Sequence, residues 1–100
     1  MAYYIYRNSI GITFQLNMNI DLTDYQTVKI LVRKPSLAKQ EWTASIYGSA
    51  VNGQIEYNTV DGDLDEAGTY IIQSYAEMTD GSIYKGRAIN VKIYAEFEGI

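Results

Sequence analysis

Three aspartates at alternate positions, in Asp61-Gly62-Asp63-Leu64-Asp65, form the stretch of this chain that comes nearest to a ligand set, since carboxylates at that spacing open a calcium-binding loop. The pattern then departs from one. A loop of the EF-hand type takes glycine at its sixth position and a bidentate glutamate at its twelfth, where this chain has Glu66 and Ile72. The segment reads as an acidic loop leading into a strand, and no metal site is expected. The chain has no histidine and no cysteine. Those two absences remove the usual general base near neutral pH, the commonest zinc ligands, the Ser-His and Cys-His nucleophiles and every disulfide. Catalysis by carboxylates alone needs two of them at a set separation across a cleft. Asp61, Asp63, Asp65 and Glu66 crowd into one loop and the other acids are scattered. The expectation is a protein that is not an enzyme, with no catalytic residue, no cofactor and no small-molecule substrate.

One hundred residues make a single domain, 1–100, large enough to bury its own core. Eight basic and twelve acidic side chains leave a net charge of −4, the wrong sign for gripping a phosphate backbone, so nucleic acid is not an expected partner. Arg33, Lys34 and Lys39 read as the solvated end of a hairpin, and Lys29, Lys85 and Lys92 fall at outward positions that keep a sheet soluble. Met1 to Arg7 lacks a basic stretch followed by an apolar run, and no window approaches eighteen apolar residues. Neither a secretory leader nor a membrane span is expected, and the chain reads as made and kept in a cytoplasm or as leaving it by a route other than secretion.

Alternation dominates the elements that must position these groups. Ile12 to Ile20 switches between apolar and polar at every step, the period of a strand with one face on a core and one in water. Val28, Ile30 and Val32 alternate with Lys29, Leu31 and Arg33. Trp42, Ala44 and Ile46 alternate with Thr43, Ser45 and Tyr47. Ile55 to Val60 reads as a strand near an edge. Tyr70, Ile72, Ser74, Ala76 and Met78 share one face of a further strand, and Ile83 to Tyr94 closes the series with Ile89, Val91 and Ile93 on one side. With Tyr3 to Arg7 first, the count is about seven strands. Asn52-Gly53 and Asp80-Gly81 predict type I′ hairpin turns. Pro35, the only proline, stands just past a strand where no central ladder bond is lost. Asp21 to Gln26 lacks alternation, and Thr23 three residues before Gln26 allows at most one helical turn in a crossing between sheets.

Short one-sided strands need a second sheet to cover them, which predicts an all-β, antiparallel, immunoglobulin-like β-sandwich of about seven strands without a disulfide. An open barrel is the alternative, and the local feature favouring the sandwich is Glu66-Ala67-Gly68-Thr69-Tyr70. An acid, a glycine and a tyrosine at this spacing lead into the strand whose buried tyrosine hydroxyl bonds nearby backbone, a tyrosine corner. Gly68 and Tyr70 are therefore structural. Trp42 is the large core filler, expected opposite small Ser74 and Ala76, and with Ile72 where antibody domains carry a cysteine, apolar packing must tie the sheets together.

Ten tyrosines are half apolar and half polar, which suits both cores and interfaces. Tyr47, Tyr75 and Tyr94 fall on faces assigned to water, and either Tyr3 or the pair Tyr4 and Tyr6 must also point outward. Phe97 and Ile100 lie beyond the final strand. Tyr4, Tyr6, Tyr47, Tyr75, Tyr94, Phe97 and Ile100 are therefore the expected protein-interface residues.

The order of these features resembles the immunoglobulin-like domain at the N-terminus of phage baseplate upper proteins and in related tail and virion proteins of tailed phages. The resemblance covers most of the chain: an entry strand, the Asp21-Leu22-Thr23 turn, the Val28-to-Pro35 strand, the Trp42 strand and the Asn52-Gly53 turn, then Gly62 to Tyr70, the Asp80-Gly81 hairpin and the Ile89-Asn90-Val91 strand. It implies a non-enzymatic virion structural protein, an assembly, decoration or connector module that binds other virion proteins in many symmetric copies. It also implies a place in the virion, after a period in the host cytoplasm before assembly. A carbohydrate- or cell-surface-binding module that stacks sugars on exposed tyrosines is the alternative.

Overall fold

The computed structural model describes residues 4–98. Its strands are β1 (Ile5–Tyr6), β2 (Thr13–Asn17), β3 (Tyr25–Arg33), β4 (Lys39–Thr43), β5 (Ser45–Ile46), β6 (Gln54–Asn58), β7 (Gly68–Met78), β8 (Ile83–Lys85) and β9 (Ile89–Tyr94). The larger sheet runs β1-β9-β7-β3-β4 with β8 also on β7, and the smaller runs β2-β6-β5. This is an immunoglobulin-like β-sandwich. The nine segments are the seven expected strands with two breaks. At Ala44, whose N–H still donates to Val28 O at 3.1 Å, the chain leaves the larger sheet as β4 and joins the smaller as β5. At Gly86-Arg87-Ala88 the long closing strand is interrupted, and Gly86 stays tied to β7 through its N–H to Ser74 O at 3.1 Å. One pairing differs from the antiparallel expectation: β1 lies parallel to β9, Ile5 beside Ile93.

The alternation in sequence becomes the two sides of each sheet. Val28, Ile30 and Val32 from β3, Tyr70, Ile72 and Ala76 from β7, and Ile93 from β9 are buried against Ile55 of β6, with Leu22 and Leu64 closing the ends. Trp42 is buried, yet its partners are not Ser74 and Ala76. The register places Ile30 between Trp42 and Ser74, and the indole reaches across to the smaller sheet instead. It stacks on Tyr57 at 4.9 Å between ring centres and lies 5.7 Å from Phe14, two residues that face each other across β2 and β6. This aromatic trio ties sheet to sheet where antibody domains have a disulfide. The tyrosine corner is present: Tyr70 Oη donates to Glu66 O and accepts Glu66 N–H, both at 3.0 Å. Gly68 opens β7 at φ 130°, and a side chain there would put its Cβ 2.8 Å from Pro35 Cγ.

The turns differ from expectation in type. At Asn52-Gly53 and Asp80-Gly81 the glycine alone has a positive φ, 71° and 92°, whereas a type I′ turn requires it of both residues. Asn52 ends a 3-10 turn over Ala50–Asn52 capped by Gly53. Between β7 and β8, Gly81 N–H donates to Met78 O at 3.0 Å and Met78 N–H to Ser82 O at 2.8 Å, a type I turn followed by a one-residue bulge. Asp21 to Gln26 crosses between the sheets without a helix, because Asp21 Oδ1 takes the Thr23 N–H at 2.9 Å and holds a turn.

The β3–β4 hairpin has the same bulged geometry, but its left-handed position is filled by Leu37 at φ 73°, with its side chain two-thirds exposed. A branched side chain costs roughly 1–2 kcal/mol there, and glycine regains most of it after its own chain entropy. Leu37→Gly is expected to stabilise the fold by about 0.5–1 kcal/mol, read as a rise of several degrees in melting temperature.

Candidate functional site

The acidic loop is consumed by the fold. Asp63 is buried, and its Oδ2 accepts Tyr57 Oη–H at 2.6 Å and Val60 N–H at 2.9 Å. Asp65 binds the ammonium of Lys34 at 2.6 Å, and the same ammonium donates to Gly62 O at 3.1 Å. Glu66 takes the N–H and hydroxyl of Ser36 at 2.9 and 2.8 Å. Of the three aspartates at metal-loop spacing, Asp63 and Asp65 thus hold separate partners, Tyr57 with the Val60 N–H for the first and Lys34 for the second, while Asp61 is exposed. Among the described residues no group of three or more acidic, histidine or cysteine side chains could hold a metal ion. Lys34, expected on the solvated end of the hairpin, is instead 5% exposed, because its hairpin folds down onto this loop. Burial, the hydrogen bond to Asp63 and that carboxylate's charge push the Tyr57 phenol up to about 12.

The expected interface tyrosines divide between the two sheets. Tyr4, Tyr6 and Tyr94 gather on the outer face of the larger sheet, where β1 meets β9. Tyr4 meets Tyr94 edge-on at 4.7 Å, Tyr6 lies 6.2 Å from Tyr94, and Tyr6 Oη donates to Glu98 O at 2.7 Å. Tyr75 is on the same face, with the Lys29 ammonium 4.6 Å above its ring. Tyr47 stands apart beside β6 of the smaller sheet. Phe97 projects into solvent at 91% exposure and φ 71°, and Ile100 lies outside the described residues, as does Tyr3.

Charge on this outer face was not legible from composition. The register sets Arg33 opposite Lys39 and Ile71, Leu31 opposite Glu41 and Gln73, Lys29 opposite Thr43 and Tyr75, Lys85 opposite Tyr75, and Lys92 opposite Thr69. Lys29, Arg33, Lys39, Lys85 and Lys92 all point out of this sheet, against two carboxylates, Glu41 and Glu77. The rest of the chain holds three cations and ten carboxylates. A protein of net charge −4 therefore carries a net positive face. Lys29 is neutralised locally by Glu41 at 3.1 Å. Arg33 and Lys39 have no ion pair among the described residues and sit directly across from each other, a like-charge juxtaposition that weakens a sheet. They form one end of an open depression of about 610 Å³ whose floor is Leu31, Ile71 and Gln73. The sequence signal that could have found this site is the spacing of Arg33 and Lys39 around Pro35, once a five-residue hairpin loop is assumed.

No family model matches the chain, and no curated protein matches it. Among solved structures it is similar to the crystal structure of CopC from Methylosinus trichosporium OB3b, with a TM-score of 0.60 and 10% identity over 98% of this chain and 91% of that one. At that identity the likeness establishes the fold. It also corrects the function drawn from the phage resemblance: the solved structure found similar along nearly the whole chain is of CopC and not of a virion protein, so the virion assembly module is not retained. Nor is the sugar-stacking alternative. Of the expected tyrosines, Tyr75 lies under Lys29, and Tyr94 packs against Tyr4 with the Lys92 ammonium 5.5 Å from its ring, whereas Tyr47 is exposed.

Proposed function

We propose that the chain is a non-catalytic docking domain that binds an acidic, partly apolar protein segment on the outer face of its larger sheet. The observation that carries this reading is the Arg33–Lys39 pair. Two cations held side by side, with no ion pair among the described residues, cost stability in the free protein, and the arrangement gains once a carboxylate lies between them. Leu31 and Ile71 beside them offer apolar side chains a floor, and the Lys29–Glu41 ion pair closes the far side. The negative remainder of the molecule repels acidic partners elsewhere and so directs them to this face.

A synthetic peptide of alternating glutamate and leucine, titrated into labelled protein, is expected to shift the amide resonances of Leu31, Arg33, Lys39, Ile71 and Gln73 before others. Arg33→Glu converts the repelling pair into a cross-strand ion pair. It should therefore leave the melting temperature unchanged or slightly higher while weakening the peptide at least about tenfold, a loss of roughly 1.4 kcal/mol. A variant that binds as well as the parent would refute the reading. So would single-stranded DNA binding to this face more tightly than the peptide, because a phosphate backbone would then be the better ligand.

A further inference from the structure

The smaller sheet ends on one side in β2, a five-residue edge strand with no charged side chain. Ile12 O accepts Thr59 N–H and Met18 N–H donates to Gly53 O, so the even-numbered residues of β2 bond toward β6. By the alternation of an antiparallel ladder, the backbone N–H and C=O groups of Thr13, Gln15 and Asn17 point the other way. No strand pairs with them among the described residues. Natural edges of this kind are normally blunted by charge, proline or a bulge. This one has none of the three over Thr13-Phe14-Gln15-Leu16-Asn17, and its register with β6 is unbroken. Ile12, Phe14 and Leu16, which line the same side of the core, remain half-buried.

We infer that β2 pairs with β2 of a second copy, antiparallel about a two-fold axis at Gln15, joining two smaller sheets into one of six strands. The register is self-complementary at every position. Gln15 meets Gln15, Thr13 meets Asn17 on the outer face, and Phe14 meets Leu16 on the core face. The residues brought into hydrogen-bonding pairs are the same three whose backbone groups are free, which is the isologous pattern a two-fold dimer requires. The half-buried side chains of the two cores would then cover each other. Charge separates this edge from that of β4, and length from the two-residue strands β1 and β5. The corresponding pairing of β4, the edge of the larger sheet, would set Glu41 against Glu41, and like charges directly opposite oppose it. β2 carries no charge to repel its own copy. The basic face lies on the other sheet and stays open, so the inference is independent of the docking reading.

Sedimentation equilibrium from micromolar to near-millimolar concentration tests it. The parent chain is expected to pass from monomer to dimer. Gln15→Lys, which sets two ammonium groups on the axis and leaves every bond to β6 intact, should weaken association at least about tenfold with an unchanged melting temperature for the monomer. Gln15→Glu should do the same, and an equimolar mixture of the two variants should recover a dimer, because lysine then faces glutamate. A parent that stays monomeric throughout overturns the inference. A dimer indifferent to both variants, or a mixture that fails to associate, overturns it equally.

Discussion

Trp42→Ala is expected to remove about 3–5 kcal/mol of folding stability, the range found when a large buried aromatic is truncated and its cavity only partly closes. The indole is 3% exposed and holds Phe14 and Tyr57 of the opposite sheet, so the loss falls on the contact between layers and not within one of them. Domains of this size have roughly 5–15 kcal/mol in total. The variant should therefore unfold at far lower urea concentration, with a shallower, less cooperative transition if the sheets separate before each melts. Since Trp42 is the sole tryptophan, the comparison is made by circular dichroism. Trp42→Phe keeps an aromatic ring in the stack and should cost clearly less. An alanine variant as stable as the parent would show that the sheets are tied elsewhere.

Asp63→Ala has the second-largest expected effect, about 2–3 kcal/mol. It strands the Tyr57 hydroxyl and the Val60 N–H, both of which donate to one carboxylate oxygen, and bonds to charged acceptors are the stronger kind. The same site governs behaviour in alkali. The Tyr57 phenol is raised to about 12 in the folded chain from an ordinary value near 10, so folding favours its neutral form. That contribution is complete below about pH 10 and is lost as pH rises through about 12. Tyr57→Phe should flatten the stability profile across this window. In Asp63→Ala, tyrosinate absorbance should show Tyr57 ionising at lower pH than in the parent. It remains above the ordinary range because burial, the largest cause of the shift, persists.

Much of the fold was written in local pattern. The faces of β3 and β7 followed from alternation, and the tyrosine corner from one acid, one glycine and one tyrosine at fixed offsets. The breaks at Ala44 and at Gly86 to Ala88 were not legible, since a strand that changes sheets or bulges keeps its alternation through the break. Turn type was misjudged at Asn52-Gly53 and Asp80-Gly81 because one glycine satisfies several turns, and loop length decides among them. Lys34 was misplaced for a related reason: neighbouring cations in sequence look alike until the fold buries one against Asp65.

By itself the sequence determined the chemistry excluded by the missing histidine and cysteine, the all-β sandwich and the use of packing in place of a disulfide. These rest on composition and on a two-residue period, which are properties of neighbours along the chain. The tertiary structure decided which side chains meet. It spread the carboxylates of the acidic loop onto Tyr57, Lys34 and Ser36, and it turned five scattered cations out of one sheet. It also set Arg33 across from Lys39 and, among the described residues, left one side of β2 without a pairing strand. Such pairings depend on strand order and register, which relate residues far apart in the chain and are fixed only when both sheets close on a common core.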